Sequence, residues 1–258
     1  MGNLSNIGRI FFGIAIAVMG FLTIYDHDFP YMLIPPNHTW IPGLAMVANI
    51  SGVLLLLAGA AIFFKIKLRT IALLLGTVLL LIFCLYFIPY QLMVSPNYKQ
   101  FGDWENAAKE LALAGGALVI ACCFNQNNES ALTAFLSKLI PLGRILFAIT
   151  IISFGVDHYL FAQQAADYVP SWVPWHLLWM YFTGTALLAS GIAILFKIKT
   201  RLAATLLGSM ILCWVILLHI PRIIVSPAAY IVSEVTSAVI ALAYGGIGFL
   251  IAGCGKKL

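Results

Sequence analysis

Phe64-Lys65-Ile66-Lys67 and Phe196-Lys197-Ile198-Lys199 decide how this chain is read. The same four residues return after 196 − 64 = 132 positions. Trp40-Ile41-Pro42 returns as Trp172-Val173-Pro174, and Ile88-Pro89 as Ile220-Pro221, at the same offset. Asp26-His27 is matched by Asp157-His158, and Val94-Ser95-Pro96 by Val225-Ser226-Pro227, at an offset of 131. Collinear matches with so little drift indicate a duplicated unit, the signature to seek before any other.

Each basic tetrapeptide lies between long apolar runs. The chain is 62% hydrophobic and 9% charged, with a mean hydropathy of +1.02. A soluble domain carries about 25% charged residues, so lipid rather than water must solvate most of this surface. Backbone polar groups in lipid have to be paired within the segment or within a closed barrel. The apolar runs show no period-two alternation, which excludes a barrel. They fall near residues 7–24, 44–63, 71–88, 107–124, 142–161, 175–195, 202–220 and 231–252. The predicted fold is all-α: a polytopic membrane protein with eight transmembrane helices, arranged as two parallel four-helix repeats. Residues 1–124 form the first repeat and 139–258 the second. Residues 125–138, opening with Asn125-Gln126-Asn127-Asn128-Glu129-Ser130, form a cytoplasmic linker.

Charge sets the expected orientation. Lys65, Lys67 and Arg69 lie between helices two and three; Lys197, Lys199 and Arg201 lie between helices six and seven. Neither loop holds an acidic residue, so both are expected on the cytoplasmic side. The N-terminus, the linker and Lys256-Lys257 then fall on that side too. The early apolar run has no small-residue cleavage site and reads as a retained helix. The net charge of +5 belongs to these loops, which excludes nucleic acid as a partner. Cys84, Cys122, Cys123, Cys213 and Cys254 form no metal or redox spacing.

All five histidines are expected on the opposite, outer side. Asp26, His27, Asp28, His38 and Trp40 join the first two helices; Asp157, His158, Asp167, Trp172, Trp175 and His176 join the fifth and sixth. His219-Ile220-Pro221-Arg222 closes helix seven, with Pro221 expected to end or kink it. Ionisable groups at a membrane mouth are functional candidates by default. At the 132 offset, His219, Arg222, Trp175 and His176 stand opposite Phe87, Tyr90, Gly43 and Leu44. The first copy keeps only the Asp-His pair, Trp40 and the prolines, so the site is placed in the second copy. Asp157, His158, His219 and Arg222 are its candidate catalytic groups. Trp172, Trp175, His176 and Trp179 are its candidate ligand-binding groups. Three plainer readings stay open: tryptophans as interfacial anchors, Asp157 and Arg222 as a structural ion pair, and solvated histidines. No histidine pair has a metal-ligand spacing, so no metal is assigned.

Gly143-Arg144-Ile145-Leu146-Phe147, Phe154-Gly155-Val156-Asp157-His158, Phe182-Thr183-Gly184 and His219-Ile220-Pro221-Arg222 together resemble the DoxX-like family of bacterial integral membrane proteins. Leu111-Ala112-Leu113-Ala114-Gly115-Gly116-Ala117 is similar to that family's last-helix pattern. Members are typically single four-helix units, so the resemblance implies two in tandem. The name-giving member resembles a membrane subunit of an archaeal thiosulfate:quinone oxidoreductase; other relatives are implicated in oxidant-resistance complexes or chaperoning. The resemblance implies a quinone or similar isoprenoid ligand and a redox partner protein. The residues supply no haem, flavin or iron–sulfur motif. The alternative expectation is a non-catalytic transport, lipid-binding or assembly module. Gly115-Gly116 and Gly245-Gly246 permit close helix packing and self-association into a homo-oligomer.

Overall fold

The computed structural model describes residues 3–30, 32–35, 41–96, 99, 101–124 and 130–255, with the side chains of 101–103 excepted. His38, Trp40, the linker residues 125–129 and Lys256-Lys257 lie outside the described residues. Among the described residues, eight helices are long and apolar enough to cross a bilayer: α1 (Asn3–Asp26), α2 (Leu44–Phe64), α3 (Leu68–Met93), α4 (Trp104–Cys123), α5 (Ala131–Leu160), α6 (His176–Leu195), α7 (Thr200–Val225) and α8 (Ala228–Cys254). At 1.5 Å rise per residue, about 20 residues span a hydrocarbon core about 30 Å thick.

The linker is shorter than the polar stretch suggested. Helical turns begin at Ala131, capped by Ser130, whose side chain accepts from the Thr133 N–H at 3.2 Å. Thr133 and Leu136 are buried, so this stretch packs instead of looping.

The two basic tetrapeptides are helix stops. Lys65 and Lys197 adopt left-handed backbone with φ of 62° and 59°, and Lys67 and Lys199 both have φ of 41°. In each turn an amide reaches back across the helix end: Ile66 N–H donates to Ala61 O and Ile198 N–H to Ala193 O, both at 2.8 Å. That bond occupies carbonyls a helix terminus leaves unpaired. Arginines occupy more of them. Nη1 of buried Arg9 donates to Ile62 O at 2.5 Å and to Phe63 O, at the end of α2. Nη1 of buried Arg144 donates to Ile194 O, and to Leu195 O at 2.6 Å, at the end of α6. A cation at a helix C-terminus also meets the negative end of its dipole.

Neither proline ends its helix. A proline lacks the N–H and its ring collides with the carbonyl four residues back. Here the turn before each proline is widened: π-helical backbone runs over Phe83–Phe87 ahead of Pro89 and over Val215–His219 ahead of Pro221. The widened turn moves the colliding carbonyl aside, so α3 continues to Met93 and α7 to Val225. The two π segments are 215 − 83 = 132 residues apart.

Packing repeats as well. α1 lies against α2 and α8, while α5 lies against α6 and α4; α3 lies on α4 and α7 on α8. α4 and α8 meet at the centre. Their apolar windows are 78% and 72% buried, against 22% for α2 and for α7, which leaves those two facing outward. Close approach is set by glycine. A Cβ on Gly8 would lie 2.3 Å from Gly246 O, and one on Gly115 would lie 2.7 Å from Gly143 O. Without a hydrophobic force between helices in lipid, such backbone contact is the main source of association.

These contacts fix a register that differs from one expectation. Gly143 takes the place of Gly8, and Arg144 that of Arg9, so α5 follows α1 at 144 − 9 = 135. Asp157 therefore stands opposite Leu22 (157 − 135), and His158 opposite Thr23 (158 − 135). Asp26-His27 is not their counterpart. It lies at the end of α1, where exposed His27 has φ of 55° and its Nδ1 is 3.0 Å from Asn49 Oδ1. Asp157, by contrast, is buried within α5.

Candidate functional site

The α4 start, the α5 end, the α6 start, the α7 end and the α8 start share the end of the bundle opposite the lysine turns. Between them lies a cavity of about 640 Å³, within the range of small-molecule sites. Phe154, Met180, Leu187, Met210, Trp214 and Ile240 give it apolar walls. Asp157, His158 and His219 all line it, so three of the four expected catalytic groups come together.

Each is placed by its helix. Asp157 is 8% exposed, and neither carboxylate oxygen has a hydrogen-bond partner among the described residues. An unsatisfied buried polar group typically costs about 1–3 kcal/mol. His158 Nδ1 lies 2.7 Å from Phe154 O, one turn back. A carbonyl can only accept, so Nδ1 carries the hydrogen and a neutral ring presents a bare Nε2 lone pair. His219 sits at the last position of the π segment of α7, and its Nδ1 too has no partner among the described residues. π-Bulges often mark functional positions, because they re-aim a side chain without ending the helix.

The fourth group is engaged elsewhere. Arg222 does not line the cavity. Its Nε donates to Glu234 Oε2 at 2.9 Å and its Nη2 donates to Glu234 Oε1, a two-pronged pair between α7 and α8. The guanidinium carbon lies 4.4 Å from the centroid of the Tyr168 ring. The structural ion pair thus exists, but with Glu234 in place of Asp157.

The expected aromatic roof is not where the sequence put it. Trp172, Trp175, His176 and Trp179 are all absent from the cavity wall. α6 begins only at His176, which leaves Trp172 and Trp175 in the preceding turn, 63% and 75% exposed. That exposure suits the anchoring reading. Trp179 is turned back, its Nε1–H donating to Pro174 O at 3.1 Å and its ring edge-on to Trp214, 5.9 Å between centroids. Trp214 is the indole that meets the cavity, and Trp179 backs it. The roof is built by Phe161, Gln164, Ala165 and Tyr168, around a short helix at Ala162–Ala166.

Two further groups come from the first half of the chain. Glu105 and Lys109 of α4 line the cavity and pair at 3.5 Å across one helical turn. Lys109 Nζ also donates to Asn106 Oδ1 at 3.0 Å. Buried Tyr244 of α8 donates to Lys109 O at 3.2 Å, and its ring stacks on Phe154 with centroids 5.7 Å apart. The signal for Glu105 and Lys109 was visible: charged residues within an apolar helix mark a site by default. Among the described residues no group of three His, Cys, Asp or Glu side chains is placed to hold a metal ion. No family model matches the chain, nor does any curated protein or solved structure.

Proposed function

We propose that the cavity binds an apolar ligand with a polar, oxygen-bearing head, of the quinone or isoprenoid class, as part of a membrane redox system. The observation that carries this reading is the Asp157 carboxyl, unpartnered among the described residues, in the wall of a largely apolar chamber. A site built only for stability would place an apolar side chain there, as the first half does with Leu22. Asp157 and the bare Nε2 of His158 offer a hydrogen-bonding pair to the head, and His219 adds a second imidazole. The carboxyl and the two imidazoles can each donate or accept a hydrogen bond at that head. Phe154, Met180 and Trp214 supply the flat and pliable surfaces that an apolar body needs.

The wider reading goes with it. The recurring offsets, π segments and helix pairs support two parallel repeats and kinship with the DoxX-like family. The lysine turns support both termini inside and the cavity at the extracytoplasmic end, and the resemblance to the DoxX-like family implies a bacterial cytoplasmic membrane. Electrons would come from a partner protein.

Trp214 and Trp179 make the proposal measurable. Titrating the protein in nanodiscs with a short-chain benzoquinone should quench their fluorescence saturably. Asp157→Leu should weaken binding by at least about tenfold, or about 1.4 kcal/mol. Quenching that rises linearly and equally in both proteins would be partitioning into lipid, and would defeat the assignment.

A further inference from the structure

We propose that Phe161–Val173 is a gate over the cavity, and that Arg222 is its latch. Four residues of this segment, Phe161, Gln164, Ala165 and Tyr168, line the cavity, so the segment covers the chamber from one side. It leaves α5 through Phe161, whose φ of −117° and ψ of 28° break the helix. It is not part of the main core. Ala162, Ala166, Val169 and Val173 form a separate small cluster with Met180, backed by Ala165 and Trp179. Outside the segment that cluster draws on Met180 and Trp179 of α6, whereas the cavity is also walled by α4, α7 and α8. Segments with few apolar contacts of their own open at low cost.

The first half shows the alternative. There the stretch after α1 is sunk into the main core through Met32 and Leu33, 2% and 5% exposed. One copy has a plug at this place and the other a detachable cover.

Across the mouth the cover meets α7 through an aromatic contact. Tyr168 is half exposed, and its ring lies over the Arg222 guanidinium at 4.4 Å. Glu234 grips that guanidinium with both carboxylate oxygens. The pair therefore joins α7 to α8 and presents a fixed cation face to a tyrosine on a mobile strap. A cation over an aromatic face is a modest attraction, enough to bias opening without preventing it. The same geometry accounts for a guanidinium that the cavity itself does not use.

A cysteine placed inside the chamber reads the gate without any ligand. Thr183 lines the cavity on α6 and is 3% exposed. The Thr183→Cys protein, in nanodiscs, is labelled with a membrane-impermeant maleimide, and the rate of the parent protein with its native cysteines is subtracted. Labelling should be slow, and Tyr168→Leu should speed it at least about threefold. Tyr168→Phe keeps the ring over the cation and should stay within about twofold of the starting rate. Glu234→Gln frees the guanidinium and should also speed labelling, which covers the case in which Tyr168→Leu misfolds. Equal rates for the Leu and Phe variants would overturn the latch. A reporter already reacting at the rate of a free thiol would overturn the gate. Neither result bears on whether the chamber holds a quinone-like ligand.

Discussion

Replacing Asp157 by leucine should make the protein more stable and less able to bind. Asp157 is 8% exposed in α5, with neither oxygen partnered among the described residues. Its burial carries the cost of an unmade hydrogen bond, about 1–3 kcal/mol. Leucine removes that cost. It also fits the shape of the fold, because Leu22 holds the corresponding place on α1 at 6% exposure. Taking about 2 kcal/mol and about 2–4 °C per kcal/mol for a chain of this size, Tm should rise by about 4–8 °C. Asp157→Asn should gain less, since an amide in the same place stays unpartnered. The assay is thermal unfolding in nanodiscs followed by tryptophan fluorescence, with the variants compared at equal lipid content. A fall in Tm of more than about 4 °C in Asp157→Leu, about 1 kcal/mol or more, would mean that the carboxyl ties helices together. The functional reading of the cavity would then lose its main support.

Other expectations concern the scaffold. Gly59→Ala drives a Cβ to 2.3 Å from the Ala17 backbone nitrogen and should cost at least about 2–3 kcal/mol, whereas Gly76→Ala, whose nearest contact is 3.1 Å, should cost under about 1 kcal/mol; paired thermal melts decide this. Arg144→Met uncovers the carbonyls of Ile194 and Leu195 and should lower stability by about 1.5–3 kcal/mol, seen as early fraying of α6 in hydrogen exchange. Glu110, fully buried in α4 with both oxygens unpartnered among the described residues, should behave as Asp157 does. Glu110→Met should raise Tm but, because this residue is not in the cavity wall, should leave quinone quenching unchanged.

The helices and their number were legible because hydrophobic length in lipid leaves few alternatives. The lysine turns were legible as loops through their repetition, though not as left-handed stops. Sequence offset alone mispaired Asp26-His27 with Asp157-His158, because a chance dipeptide match outweighed the glycine and arginine contacts that set the register. Pro221 was expected to end or kink its helix; periodicity does not show the π turn through which α7 runs on to Val225. The chamber was legible through Asp157, His158 and His219, whose carboxylate and imidazoles stand out in an apolar chain. Its cover was not, because Ala162–Ala166 is small and weakly patterned. Arg222 was drawn to the wrong acid: Glu234 lies 12 positions on and reaches it only through the packing of α7 on α8.

The claim that most needs testing is that the chamber beside Asp157 holds a quinone-like lipid. Mass spectrometry of an organic extract of the purified protein tests it directly. The native protein is predicted to release a quinone or isoprenoid in near-equimolar amount, and Asp157→Leu, purified alike, far less. Ordinary phospholipid alone from both, or equal quinone from both, would contradict the account.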